Sequence, residues 1–289
     1  MKIFMRSDQY ADQRTFSFPD ASKLRMESVP LYWRRRDVYG LMFQRLWTDK
    51  ESSGPFRNLV AQHLNIRFQS NAPELPLPVS RRHASQWEFP SPLREDETIQ
   101  EKVFSEIAGE FMGTSPNKGK TYSWLFDHLA DAAGETTPQS FLFAIGQAAK
   151  EATDSKLVIT HRDIKFGVQD ASEIRLKQLE EDHWWVNIAM RTLEGLVVPA
   201  SHEDIEAAFI RGKAVKQIFA DASKIRKPPP LLLASNPSEP AAKLLEELIN
   251  MKVVERRTNG KINMPDLFRI AAKVKRKGEV RPPLPPGRR

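Results

Sequence analysis

The chain has 289 residues, contains no cysteine and carries a formal net charge of +7 at neutral pH. This length is sufficient for two or three small domains, and the lack of cysteine excludes disulfides and thiolate-bound zinc. No apolar run approaches the ~20 residues of a membrane-spanning helix, and the first residues do not resemble a signal peptide. We therefore expect a soluble, cytoplasmic protein without a membrane partner.

The positive charge is concentrated at the C-terminal end of the chain. Seven basic residues and one acidic residue lie in 273–289, KVKRKGEVRPPLPPGRR, which supplies +6 of the +7. The remaining sequence is almost neutral. A basic tail of this kind is compatible with phosphate contact and is equally typical of a solvated terminus.

The first predicted element is a short strand over 2–6, KIFMR. A single strand can neither pair its backbone groups nor bury both faces, so it is an orphan strand. Apolar residues at helical spacing then predict helices over 37–46 and 56–68. Residues 71–92 contain five prolines and no helical period, which predicts an extended connector.

The stretch GTSPNKGKT, residues 113–121, resembles a phosphate-binding loop at first sight. That loop has four residues between its two glycines, whereas five residues separate Gly113 from Gly119, and one of them is Pro116. A phosphate-binding loop also follows a buried strand, but the preceding residues, 99–111, have helical spacing. The stretch is therefore interpreted as a loop between two helices.

Capping sequences predict where the next helices begin. The predicted N-terminal signals are Thr137-Pro138, Thr160 with Asp163, and Ser201. The second of these helices is predicted to extend through 168, and a separate helix over 171–193 is predicted to end at Gly195. The helix after Ser201 is predicted to extend through 218.

The C-terminal region contains the clearest local pattern. Pro240 begins an amphipathic helix with apolar residues at positions i, i+3, i+4, i+7 and i+8. Two short β-prone runs flank Asn259-Gly260, a strong hairpin signal, and Pro265-Asp266 begins a last helix. The order helix, hairpin, helix predicts a winged-helix domain.

The predicted fold class is therefore mainly α: a helical, lid-like bundle with a C-terminal winged-helix domain and an orphan N-terminal strand. Five segments are predicted. They are a core remnant (1–70), a proline-rich linker (71–95), a helical lid-like domain (96–235), the winged helix (236–278) and a basic tail (279–289).

The sequence offers no catalytic constellation. None of the six histidines has the spacing of a zinc-ligand pair, and neither a serine-hydrolase motif nor a dinucleotide fingerprint is present. The acidic run Glu180-Glu181-Asp182 is compatible with a carboxylate pair, but adjacent charges are typical of a solvated face. We predict no catalytic residue and no metal site.

A nucleic-acid contact is possible at the predicted wing and tail. The outward face of the helix after Pro240 carries Lys243, Glu246, Glu247 and Asn250, which disfavours base readout and favours protein packing. Phosphate contacts are better served by basic residues of the hairpin and the following segment. The candidates are Arg256, Arg257, Lys261, Lys275, Arg276 and Lys277.

Five stretches resemble, in order, the C-terminal half of bacterial STAND/ParA-annotated P-loop ATPases. They are KIFMRSD (2–8), PLYWRRRDVYGLMFQRL (30–46), FMGTSPNKGKTYSWLFDHLADAAGETTPQSFLFAIGQAA (111–149), ITHRDIKFGVQDASEIRLKQLEEDHWWV (159–186) and GKINMPDLFRIAAKVKRKG (260–278). Together they cover most of the chain, and none of them is a catalytic signature.

The resemblance implies that the strand at 2–6 is a sensor-1 element, followed by a helical lid and a winged helix. It implies that ATP and Mg²⁺ are bound by a Walker A and B half that this sequence lacks, that Met1 is an internal start, and that Arg6 and Asp8 face the nucleotide when that half is supplied.

Two functions remain open from the sequence. The first is a regulatory lid portion of a P-loop ATPase, which acts as a nucleotide-responsive interaction module, needs no cofactor on its own and is not an enzyme alone. Its partner would be the P-loop half or another protein. The alternative is a winged-helix DNA-binding regulator that uses the wing and the basic tail.

Overall fold

The computed structural model describes residues 18–19, 21, 23, 28–29, 31–64, 89–153, 156–235 and 238–278. In these residues the chain is mainly α-helical, as predicted. It divides into two compact units. The helical unit comprises the described residues of 33–130 and 134–171, and the C-terminal unit comprises 131–133 with the described residues before 33 and from 172 onward. The finer division into five segments stays a prediction.

The helical unit is built from seven helices of the described region. They are α1 (Arg35–Thr48), α2 (Ser53–Leu64), α3 (Ser91–Glu95), α4 (Glu97–Ala108), α5 (Thr121–His128), α6 (Pro138–Glu151) and the first half of α7 (His161–Asp182), with a 3-10 turn at Pro116–Lys118. Helix α1 packs against α2, α3, α4 and α6, so its buried aromatic side chains form the centre of the unit. Tyr39 and Phe43 are fully buried there, beside Phe104, Tyr122 and Phe141.

A chain of hydrogen bonds crosses this aromatic core. The Tyr39 hydroxyl donates to the Tyr122 carbonyl oxygen at 2.8 Å, and the Tyr122 hydroxyl donates to Gln100 Oε1 at 2.6 Å. Gln100 Nε2 donates to the carbonyl oxygens of Arg36 at 2.9 Å and Leu93 at 2.7 Å. Because the fully buried Gln100 bonds groups on α1, α3 and α5, it fixes how these helices meet.

The buried tyrosines should make the protein sensitive to alkaline pH. Burial raises the pKa of both Tyr39 and Tyr122 above the ordinary value of 10.0. Below pH 10 both hydroxyls are protonated in the folded and unfolded states, and above it only the unfolded state releases the protons. The free energy of unfolding should therefore fall above pH 10, by about 1.4 kcal/mol per pH unit for each tyrosine.

Urea titrations between pH 9 and pH 11 test this expectation. Tyr39→Phe should lose about 1 kcal/mol at pH 8 and should show a shallower decline above pH 10, whereas lysine titration affects both proteins alike. Parallel pH profiles for the two proteins would contradict the expectation.

The C-terminal unit contains the rest of α7, six further helices and four short strands among its described residues. They are α8 (Val186–Thr192), β1 (Val197–Val198), α9 (His202–Arg211), α10 (Ala214–Ile225), α11 (Leu231–Ser235), α12 (Pro240–Asn250), β2 (Glu255–Arg256), β3 (Ile262–Asn263), α13 (Asp266–Arg269) and β4 (Lys275–Arg276). Helix α12 packs against α9, α10 and α11 through the buried side chains of Leu244, Leu245 and Leu248.

The strands form two small ladders. β2 and β3 are antiparallel, with Arg256 opposite Ile262, and β1 pairs in parallel with β4, with Val198 opposite Arg276. An isolated antiparallel bridge joins Ala200 to Ile262. Residues 197–200 are thus paired with both the hairpin and β4.

The predicted helix starts are confirmed. Thr137 accepts a hydrogen bond from the Ser140 N–H at the start of α6, and the Ser201 side chain accepts one from Asp204 at the start of α9. Thr160 and Asp163 form the predicted reciprocal pair at the start of α7. The helix beginning at Pro240 and the hairpin around Asn259-Gly260 are also present.

Several predicted boundaries were wrong. One continuous helix, α7, replaces the predicted break near 168, and the chain leaves the helix at 183–185 instead. The helix after Ser201 ends at Arg211, and α10 begins after Lys213, which has a φ of 55°. The predicted last helix is limited to α13. Helix α3 falls in the segment interpreted as a connector, and the strand at 2–6 lies outside the described residues.

Candidate nucleic-acid interface

All six basic residues predicted to contact phosphates are described, and each is exposed. Arg256 lies in β2, and Arg257 and Lys261 close the hairpin, where the Arg257 N–H donates to the Lys261 carbonyl at 2.8 Å. Lys275 and Arg276 form β4, and Lys277 follows it. The other predicted positions, Arg6, Asp8 and the tail 279–289, lie outside the described residues.

Strand pairing brings these two basic segments together. Their common neighbour is the segment 197–200, which pairs with β4 at Val198 and with the hairpin at Ala200. Paired strands lie ~4.8 Å apart, so the hairpin and β4 are within a few strand widths of each other. We call the six residues Arg256, Arg257, Lys261, Lys275, Arg276 and Lys277 the basic surface.

Each arginine of the basic surface is close to a carboxylate. Arg256 Nη2 lies 2.6 Å from Glu246 Oε1, and Arg257 Nε lies 3.6 Å from Glu255 Oε1. The third pair joins Arg276 Nη1 to Asp266 Oδ2 at 3.5 Å. Among the described residues, no ion-pair partner is found for the three lysines of the basic surface. The arginines are therefore partly neutralised, and the lysines carry the net charge of the surface.

A buried ion pair between Arg269 and Asp266 lies next to the start of β4. Arg269 Nε donates to Asp266 Oδ1 at 2.6 Å, and both side chains are less than a tenth exposed. Arg269 Nη1 also donates to the Val274 carbonyl oxygen at 3.1 Å, immediately before β4. Asp266 therefore links an internal arginine to the exposed Arg276, which fixes the position of β4 relative to α13.

The carboxylates on the outward face of α12 have intramolecular partners. Glu247 Oε1 accepts the backbone N–H of Leu232 at 2.6 Å, and Glu246 binds Arg256. Helix α12 is therefore connected to α11 and to the hairpin through the face that a base-reading helix would present to DNA. This agrees with the expectation that the helix favours protein packing.

The loop between α4 and α5 is closed on itself. A bridge joins Phe111 to Lys120, which removes Phe111 from the helix where its spacing had placed it. The N–H groups of Lys118, Gly119 and Thr121 donate to carbonyl oxygens within the loop at 2.9–3.1 Å. A hydrogen bond with Glu101 raises the pKa of Lys120. These three N–H groups are paired within the loop, whereas a phosphate-binding loop aims its N–H groups at the ligand.

The described residues were also compared with the features of a metal site and of a ligand pocket: the first is not found among them, and an open groove is present. In the described part of the chain, no group of three or more histidine, aspartate or glutamate side chains is placed to hold a metal ion. An open groove of about 360 Å³ lies between α9 and the start of α12, lined by Glu206, Ile210, Glu239, Pro240, Ala241 and Ala242.

None of the helices in the described ranges combines the length and apolar character needed to cross a bilayer. Comparisons of the chain with protein-family models, curated proteins and solved structures return no match. The resemblance to P-loop ATPases therefore stays a prediction.

The cations of the basic surface were predictable from the sequence, whereas their carboxylate partners were not. Glu246 precedes Arg256 by ten residues and reaches it only because the chain turns from α12 into β2. Asp266 was read as the start of a helix, whereas it also binds two arginines. No spacing rule signals such contacts, because they depend on how the hairpin folds back.

Proposed function

We propose that the chain is the mainly helical, regulatory portion of a P-loop ATPase, a nucleotide-responsive interaction module without its own phosphate-binding loop. ATP and Mg²⁺ would be bound by a Walker A and B half outside these 289 residues. The chain alone would not hydrolyse ATP. Its partner would be that half or another protein, and residues 236–278 would be the winged-helix domain of such an ATPase.

The geometry of the 109–121 loop carries this proposal. Its glycines and lysine give it the composition of a phosphate-binding loop, yet the N–H groups of Lys118, Gly119 and Thr121 bond to carbonyl oxygens of the same loop. The stretches that resemble the ATPases supply the core of that unit, since Tyr39, Tyr122 and Phe141 all belong to them. A resemblance carried by core residues is what a structural module, rather than a catalytic site, would retain.

The DNA upstream of the codon for Met1 tests this proposal. We expect a Walker A motif and an acidic Walker B strand there, either in the same reading frame or in a neighbouring gene. If neither motif is encoded nearby, the chain is not the remainder of such an ATPase.

A second function is favoured by the basic surface. The hairpin and β4 bring six exposed cations into one unit, three of them in the strands (Arg256, Lys275 and Arg276) and three beside them, and this positive charge suits the phosphates of duplex DNA. Because α12 uses its outward carboxylates internally, the contact would be made by the hairpin and β4 with phosphates rather than bases. The affinity of the chain for duplex DNA would therefore not depend on the DNA sequence.

A salt titration tests this function. The chain is expected to bind a fluorescein-labelled duplex at low salt, with log K falling linearly against log salt concentration. Replacing Lys261, Lys275 and Lys277 by glutamine should make the slope less negative by ~2–3. Glutamine at the exposed Lys216 and Lys224 of α10 is the control and should leave the slope nearly unchanged. Binding that is absent at low salt, or equal for both sets, would contradict the function.

A further inference from the structure

The ion pair between Glu246 and Arg256 has the geometry that an arginine would adopt with a phosphate. One guanidinium nitrogen lies 2.6 Å from one carboxylate oxygen, a charge-assisted hydrogen bond of the type that guanidinium groups also make with phosphate oxygens. The pair joins α12 to β2 at the edge of the basic surface. The Glu246 carboxylate thus accepts from an Arg256 N–H group that a nucleic-acid phosphate would otherwise accept from.

The Glu246–Arg256 pair can exchange its partners, unlike the buried Asp266–Arg269 pair of the same unit. The side chains of Arg256 and Glu246 are 48% and 39% exposed, so water and ions reach both partners, whereas those of Arg269 and Asp266 are 7% and 9% exposed. Exposed ion pairs are typically worth less than ~1 kcal/mol. A phosphate can therefore replace Glu246 at Arg256 without disturbing the fold, while the Asp266–Arg269 pair stays intact.

We propose that Glu246 is an internal competitor for Arg256, so that the arginine contacts a DNA phosphate only by exchanging one anion for the other. This inference rests on the proposed DNA contact of the basic surface. It assigns Glu246 the role of lowering affinity: the wild-type surface binds duplex DNA through its three lysines, and Arg256 adds its contact when the Glu246 carboxylate leaves or is neutralised. Arg257 is less suited to this role, because its partner Glu255 also accepts a hydrogen bond from Asn263.

Glu246→Gln tests the competition in the full chain. It should tighten binding of a labelled 20-base-pair duplex by about 2- to 5-fold at low salt and make the salt slope more negative by ~0.9, the contribution of one further phosphate contact. Glu181→Gln, on the exposed end of α7, changes the net charge equally and is the matched control. It should leave the slope unchanged.

A double-mutant cycle separates competition from a general charge effect. In a chain with Arg256→Gln, the further change Glu246→Gln should alter affinity no more than Glu181→Gln does. If Glu246→Gln and Glu181→Gln give the same affinity and slope in the wild-type background, the competition is refuted although DNA binding stands. If neither the wild type nor Glu246→Gln binds, the DNA contact itself fails.

Discussion

Gly167→Ala is expected to destabilise the helical unit by about 2–3 kcal/mol, because α7 contacts the backbone of α6 at this glycine. A β-carbon at position 167 would lie 2.1 Å from the Ala144 carbonyl oxygen and 2.9 Å from its carbon. Ala144 is buried, so the two helices would have to move apart and lose contacts along their whole interface. Urea denaturation followed by circular dichroism measures the loss.

Gly146→Ala is the matched control on the facing helix. A β-carbon there meets no atom within 4 Å, so the substitution should only reduce the freedom of the unfolded chain. Since alanine favours a helix interior over glycine, we expect a gain of about 0.5–1 kcal/mol. If Gly167→Ala and Gly146→Ala changed the free energy of unfolding equally, α6 and α7 would not meet at Gly167.

Arg269→Met is expected to destabilise the C-terminal unit by about 2–3 kcal/mol, because it removes a charge-assisted hydrogen bond from the buried Asp266 carboxylate, which keeps Arg276 as a partner. It also removes the hydrogen bond to the Val274 carbonyl that precedes β4. The exposed pair of Glu194 and Lys273 provides the control, since Glu194→Gln should cost less than about 0.5 kcal/mol.

Thermal and urea unfolding of the two variants test this expectation. A loss below about 1 kcal/mol for Arg269→Met would mean that the Asp266–Arg269 pair does not anchor β4. Partial restoration of stability by the second change Asp266→Asn would confirm that the buried Asp266 carboxylate causes the loss.

Local signals predicted the helix starts well. The side chains of Thr137, Asp163 and Ser201 bond backbone groups within three residues, so sequence alone contains both partners of each cap. The hairpin was predictable for the same reason, because Gly260 adopts the positive φ of 78° that its turn requires. These features depend on neighbours along the chain.

Features that depend on distant partners were missed. The strand at Lys275 and Arg276 was not predicted, and it forms because β1, 78 residues earlier at the Val197–Lys275 pair, offers these residues backbone partners. The break between α9 and α10 lies at Lys213, whose φ of 55° no local signal indicates, and the neighbouring Gly212 leaves room for Thr192 of α8. The buried role of Gln100 was equally invisible, since its partners come from three helices.

The candidate site was predicted in part. Composition identified the cations of the basic surface, because charge and exposure go together for lysine and arginine. It could not show that all three arginines have carboxylate partners, since Glu246 and Asp266 approach them only in the folded unit. The winged-helix class and the ATPase resemblance stay predictions.

Calorimetric titration of the isolated chain with Mg·ATP shows whether the 109–121 loop is a phosphate-binding site. We expect no saturable binding up to millimolar ATP, and the same flat trace for Lys120→Ala, because the N–H groups of Lys118, Gly119 and Thr121 are already paired within the 109–121 loop. Saturable binding in the micromolar range that Lys120→Ala abolishes, with the fold intact by circular dichroism, would make this loop a phosphate site and contradict the account.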